Sequence, residues 1–477
     1  MFDSKLISIY LALDIEEKRK LRKWLNSDFV NQNEDILLLF KFIDSRKKVN
    51  AKSVTKLKLH NFLYPDAPYN DLRIRHLLWL TTEVFESFIV YLNTEKESSL
   101  RGKILSKFYT EKGLLSYSNK IIEKAIDNAK AVKIQNTEYF RNIYDLGAIY
   151  YDINSRNNRT QDFKINESID SFTVYTIVEV LKSACIVNTI QKVMEFEAQQ
   201  YLLQPVLALL PGSSLMQIPL VRIYYNIYQV AANEDNQAFE LFLKDIKENE
   251  ALFTKQDLNG LYRTAINFCI KKSNQNIEYY TQKTFELYVY AIESEILIEN
   301  NEINRFIFTN TIAVGIKLKE FEKIEAFIKK YSTYINESYR KNTIDYNTAK
   351  LIYAQKQHHK ALKILLTNEF KDTIWNLNSK YLVLKILFET RETEQFEIHL
   401  KAFKIYVKRI SNIGYHKTYF ANASKALTIL MNVYKKPEKF GDFLFPADTP
   451  DKDWFENELT ILRATPVKKA PTNRSYR

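Results

Sequence analysis

The chain has 477 residues, 46% hydrophobic, 14% aromatic and 26% charged, the composition of a folded globular protein rather than a disordered or fibrous one. Its net charge of +12 is moderate for this size and is also what lysines on many solvated helix faces produce. Only eight glycines occur, no two closer than eleven positions, which excludes the Walker A loop, the GxGxxG turn and the GxSxG nucleophile elbow. Eight glycines and ten prolines are also too few for the tight turns of a large β fold, so the chain is expected to be all-α, with no sheet of three or more strands.

In chain order, Asp14 and Glu17 have the spacing of a capping box, opening a basic helix over Ile15–Leu25 that carries Lys18, Arg19, Lys20, Arg22 and Lys23. Met1–Tyr10 contains no long apolar stretch and runs at once into acidic residues, which does not fit a signal peptide and suggests a cytoplasmic protein. Further helices are expected over Glu34–Asp44 and Ser53–Leu63. A long one begins after Asn70, its buried stripe formed by Leu77, Leu80, Val84, Phe88 and Tyr91. Residues 1–95 therefore read as a helical N-terminal domain.

Residues 96–217 form a middle region of longer helices over Ile121–Lys133, Thr137–Tyr151 and Ile169–Glu197. Within the last, Phe172–Val187 is rich in β-branched residues, but it continues without turn residues and is expected to be a buried helix. Cys185 and Cys269 stand in apolar surroundings, as buried thiols in a reducing compartment do. Residues 198–221 carry no charge, yet Pro205, Pro211, Gly212 and Pro219 interrupt them, so no membrane span is expected.

From 218 to 436 the sequence repeats. A charged turn precedes an anchor residue by five positions at Lys319/Ile324, Lys356/Ala361 and Arg391/Phe396, and Asn233/Ala238 fits the same frame. Each unit is an apolar helix, a short polar turn and a second apolar helix. With Ala349 and Ala361 at its two small positions, this pattern resembles the tetratricopeptide (TPR) repeat, without that repeat's Trp near the start or its closing proline. The layout also resembles helical solenoid proteins of low-GC bacteria, a likeness that implies no function.

The resemblance implies an α-solenoid of helix pairs whose first helices line a concave surface for another protein or a peptide. Its groove-facing positions fall on Asn310 and Asn347, on Tyr346 and Tyr381, and on Lys317 and Lys350. An Asn amide carries a donor and an acceptor and can bracket a peptide unit, while the lysines suit an acidic ligand.

Residues 437–463 break the repeat as an apolar strap, Phe443–Pro446, and a last helix. That helix is expected to have Thr449 as cap, Pro450 at its first position, and a buried side of Trp454, Phe455, Leu459 and Leu462. Residues 464–477 form a basic tail expected to be disordered.

No catalytic or metal constellation stands out. No His lies four residues from another, no CxxC occurs, and the Arg409/His416 spacing is interrupted by Gly414, so neither an enzyme nor a cofactor is expected. The basic head and tail are expected to give only weak, salt-sensitive RNA binding. The expected function is thus a non-enzymatic scaffold that binds a protein or peptide. The alternatives are a peptide-responsive regulator and an RNA- or ribosome-associated factor.

Overall fold

The computed structural model describes residues 1–46, 49–155, 165–191, 194–275, 277–370, 372–411, 413–414, 416–436, 443–446 and 449–464. The basic tail from 465 onward lies outside the described residues, as do the stretch 156–164 and the segment 437–442. The fold is all-α: 22 α-helices occur among the described residues, with one antiparallel hairpin of two-residue strands as the only sheet found there. The chain divides into two compact units, Met1–Leu252 and Phe253–Arg477.

Unit 1 opens with α1 (Lys5–Ala12), α2 (Ile15–Leu25), α3 (Glu34–Asp44), α4 (Lys56–Leu63) and α5 (Asp71–Lys96). The capping box at α2 forms: the Glu17 amide donates to Asp14 Oδ1 at 2.7 Å and the Asp14 amide donates to Glu17 Oε2 at 3.1 Å. The first four helices pack on α5, burying Leu21, Leu39, Phe40, Ile43 and Leu59 against Ile74, Phe85 and Phe88. The buried face of α5 differs from the expected stripe. Leu77 and Phe88 are inside, but Leu80 and Val84 are half-buried and Tyr91 is exposed, because the face is centred on Leu78, Thr81, Phe85 and Leu92.

Unit 1 continues through α6 (Ser98–Glu111), α7 (Leu115–Lys130), α8 (Thr137–Asn154), α9 (Ile165–Gln191), α10 (Leu203–Leu209), α11 (Pro219–Asn233) and α12 (Asn236–Asn249). The β-branched stretch 172–187 lies inside α9, which packs on α8 and α11. Among the described residues α9 is also the one helix long and apolar enough to cross a membrane by length and composition. The uncharged stretch 198–221 does not form one helix but a short helix, a turn with Gly212 at φ 78°, and the start of α11. Cys185 is half-buried rather than buried, and Cys269 is buried.

Unit 2 contains α13 (Lys255–Ser273), α14 (Glu278–Glu293), the hairpin of β1 (Ile298–Glu299) and β2 (Glu302–Ile303), α15 (Arg305–Lys317), α16 (Phe321–Tyr331), α17 (Glu337–Ala354), α18 (His358–Thr367), α19 (Thr373–Glu389), α20 (Thr393–Arg409), α21 (His416–Lys435) and α22 (Lys452–Ala464). Successive helices pack as pairs, and α15, α17 and α19 also pack on one another in order.

The repeated charged turns have a common cause. Lys319, Lys356 and Arg391 all adopt left-handed backbone, with φ of 60°, 62° and 63°. In each case the next amide reaches back six residues inclusive to a carbonyl of the preceding helix: Glu320 to Gly315, Gln357 to Ile352 and Glu392 to Leu387, at 2.9, 3.1 and 3.0 Å. This is the Schellman ending, built three times without glycine. The anchors Ile324, Ala361 and Phe396 are all fully buried, as is Ala349 opposite Ala361.

Candidate peptide-binding face

The expected groove residues separate into three groups. Asn310 and Lys317 of α15 are exposed, and the Asn310 amide nitrogen lies 3.5 Å from the Tyr288 hydroxyl. Asn347 is fully buried. Its amide donates to Thr309 Oγ1 at 2.9 Å and to the Thr343 carbonyl at 2.8 Å, so it ties α17 to α15 instead of presenting a free amide. Asn310 and Asn347 therefore do not act as an equivalent pair, because one faces solvent and the other bridges two helices.

Tyr346, Lys350 and Tyr381 belong together. Tyr346 of α17 packs its ring 4.9 Å from that of Trp375 on α19, and Tyr381 of α19 packs against Phe403 and Phe420. Both tyrosines are buried and Lys350 is half-buried. Burial pushes both phenols far above the ordinary range, and the Asp451 carboxylate adds to this in each case. Burial holds the Lys350 ammonium below its ordinary value; Asp451 opposes the shift and Lys385 adds to it.

Asp451 comes from the C-terminal segment, which covers this face. Its Oδ2 lies 3.1 Å from Lys385 Nζ, and the same ammonium sits 4.8 Å from the centroid of the Trp454 ring and 5.6 Å from that of Tyr381. Trp454 Nε1 donates to Glu389 Oε1 at 2.8 Å, and the Tyr353 hydroxyl donates to the same oxygen. The other oxygen of Glu389 has Lys356 Nζ at 3.3 Å and His358 Nε2 at 3.6 Å. Burial would raise the Glu389 pKa, but the hydrogen bonds from Tyr353 and Trp454 and the charge of Lys356 outweigh it and hold the carboxyl below its ordinary value.

One helical turn after Trp454, Glu458 is 4% exposed, with Arg391 Nη2 3.6 Å from its Oε2. That oxygen accepts no hydrogen bond among the described residues. Burial and the neighbouring Glu389 charge raise the Glu458 pKa, while Arg391 pulls against them. Phe455, Leu459 and Leu462 complete the apolar side of α22 in the same core as α17, α19 and α21, and Phe445 of the strap packs 5.1 Å from Phe455. The last helix starts two residues later than the sequence suggests: Asp451, at φ 50°, precedes it, and its carbonyl accepts from the Trp454 amide at 2.9 Å.

Sequence reasoning placed Tyr346, Tyr381 and Lys350 on one face but missed Tyr353, Lys385, Glu389, Arg391 and Glu458. A usable signal was Glu389 itself: an acid in the last turn of a helix opposes the helix dipole and needs cations nearby, which the turn residues Lys356 and Arg391 supply. The face brings together cations, ring faces and a carboxylate that accepts from an indole. Among the described residues no group of three or more His, Cys, Asp or Glu converges on a common centre. No family model, no curated protein and no solved structure matches this chain.

Proposed function

We propose that the protein is a non-enzymatic scaffold whose TPR-like repeats bind a peptide or protein segment along the first helices of unit 2. The observation that carries this reading is the strip of Tyr346, Lys350, Tyr381, Lys385 and Glu389, which seats a stretch of polypeptide through an ion pair, ring contacts and an indole–carboxylate hydrogen bond. A helix whose apolar side enters such a groove is a common mode of peptide recognition. A cytoplasmic location agrees with the sequence and is part of the proposal.

The test is selection of binders from a random-peptide library on the full chain, followed by Lys350→Glu and Lys385→Glu. Selected peptides should lose affinity by about tenfold or more in either variant, as expected when a charge facing the ligand is reversed. Failure to select any peptide, or selection of peptides indifferent to both changes, would overturn the reading.

A further inference from the structure

We infer that α22 is a resident pseudo-ligand of the first-helix face, and that the external ligand is an amphipathic helix of the same chemistry. Such a ligand carries an acid, a Trp–Phe pair three and four residues later, and apolar residues at eight and eleven. It also carries a second acid ahead of the first. This rests on the scaffold reading and names its ligand class.

The first part comes from what the face already holds. Asp451, Trp454, Phe455, Leu459 and Leu462 place one acid and four anchors at helical spacing, and each meets a partner supplied by α17, α19, α21 or the strap. Lys350 and Lys385 on the helix side face Asp451, and Arg391, with Lys356 further off, faces Glu458, where Glu389 is the like charge beside it.

The second part comes from what the resident segment leaves unmet. Lys350 makes no ion pair among the described residues and is half-buried, a costly position for an ammonium. Glu458 brings a second carboxylate beside Glu389 and leaves one of its oxygens without a donor. Asp451 itself sits on the rim, with 41% of its side chain exposed, in left-handed backbone. The resident helix is therefore imperfectly matched. A helix with an acid for Lys350 and a neutral residue in place of Glu458 would bind better.

The probes are fluorescein-labelled peptides with the sequence of residues 449–464, as the natural form and with the changes Pro450→Glu and Glu458→Gln. Binding is read by anisotropy on the full chain, on full-chain Asp451→Lys, and on full-chain Trp454→Ala/Phe455→Ala. The intact chain should bind weakly because its own helix competes at high effective concentration. Both variants carry their changes on the resident segment, not on α17 or α19, and should bind at least about tenfold tighter, with the doubly changed peptide tightest. Adding Lys385→Glu should abolish the gain, and a peptide carrying Asp451→Lys should restore it.

The Asp451→Lys chain changes only a rim residue, so it decides the matter even where the double variant loses helical signal. Equal affinity of the natural peptide for the intact and Asp451→Lys chains would overturn the inference. If library peptides then bind in a Lys385-dependent way, the scaffold reading survives alone; if none do, both fall.

Discussion

Two long helices set the two halves of the molecule apart. In unit 1, α5 is amphipathic: Ile74, Leu78, Phe85 and Leu92 face the core, while Leu72, Trp79 and Val90 are exposed. In unit 2, α19 is buried on nearly every side, with Trp375, Leu377, Tyr381 and all of Leu382–Leu384 and Ile386–Phe388 inside. A helix covered all round needs neighbours on all sides. Those of α19 are α17, α18, α20 and the chain's own C-terminal segment. The difference teaches that α5 is covered on one side by its neighbouring helices, whereas α19 is covered all round, in part by a C-terminal segment distant in sequence.

The comparison breaks most sharply at Ala361, where α18 meets α17 through two fully buried alanines. Ala361→Asp places a carboxylate there without a partner and should cost roughly 3–5 kcal/mol. Melting followed by hydrogen exchange should show protection lost in α17–α19 and kept in α5. Uniform loss, or none, would mean that the two units do not differ in this way.

A smaller effect is expected at Gly315. A Cβ there would lie 2.3 Å from Ile324 Cδ1 and 2.9 Å from Phe285 Cε2, and Ile324 is fully buried and has no room to retreat. Gly315→Ala should destabilise unit 2 by about 1–3 kcal/mol. Unit 1 uses the same device at Gly102, whose Cβ would meet Ala125 Cβ at 2.6 Å, so close helix contact through glycine is common to both halves. Gly260 is the control. It is exposed in α13 with nothing within 4 Å of a Cβ, and Gly260→Ala should stabilise by about 0.4–1 kcal/mol through helix propensity and a less flexible unfolded chain. Thermal unfolding of the Gly315→Ala and Gly260→Ala variants side by side checks the signs.

Much of this was legible in the sequence for physical reasons that stay local. Helix 2 and its cap, the position of the repeat anchors, and the buried side of α22 depend on residues within about a turn of one another. The left-handed turns were visible as charged residues but not as Schellman endings, since glycine, the usual marker, is absent from all three. The α5 stripe was read one residue off because Thr81 is inside, its hydroxyl satisfied by the Leu77 carbonyl at 2.7 Å. The candidate face was half legible: Tyr346 and Tyr381 share a repeat position, but the segment that covers them lies 70 residues or more further on. Asn347 looked like Asn310 in the frame, and only the packing of α17 on α15 separates an interhelix tie from an exposed amide.

The smallest expected effect is a change of slope rather than of midpoint, and it tests the carboxyl pair of unit 2 in which Glu458 is buried. Glu458 faces Glu389 from α19, Arg391 from the following turn, and more distantly Lys356 and Lys385. Its raised pKa means that the native state binds a proton more readily than the unfolded chain does. Native stability contributed here is therefore present at low pH and declines as pH rises from about 4.3, the unfolded carboxyl value, through the raised native value. Glu389 acts in the opposite sense: its lowered pKa supplies stability above the unfolded value that is lost as pH falls through the native one. Glu458→Gln keeps the shape, removes the second carboxylate and leaves Glu389 in place. The variant should show a flatter melting profile on the alkaline side than the natural chain and an unchanged acid limb. Glu389→Gln should do the reverse, flattening the acid limb while also loosening Trp454. Parallel profiles for the natural chain and Glu458→Gln from pH 5 to 8.5 would show that α22 is held without regard to that carboxyl, and the resident helix would then be as well matched to its face as the head is to its core.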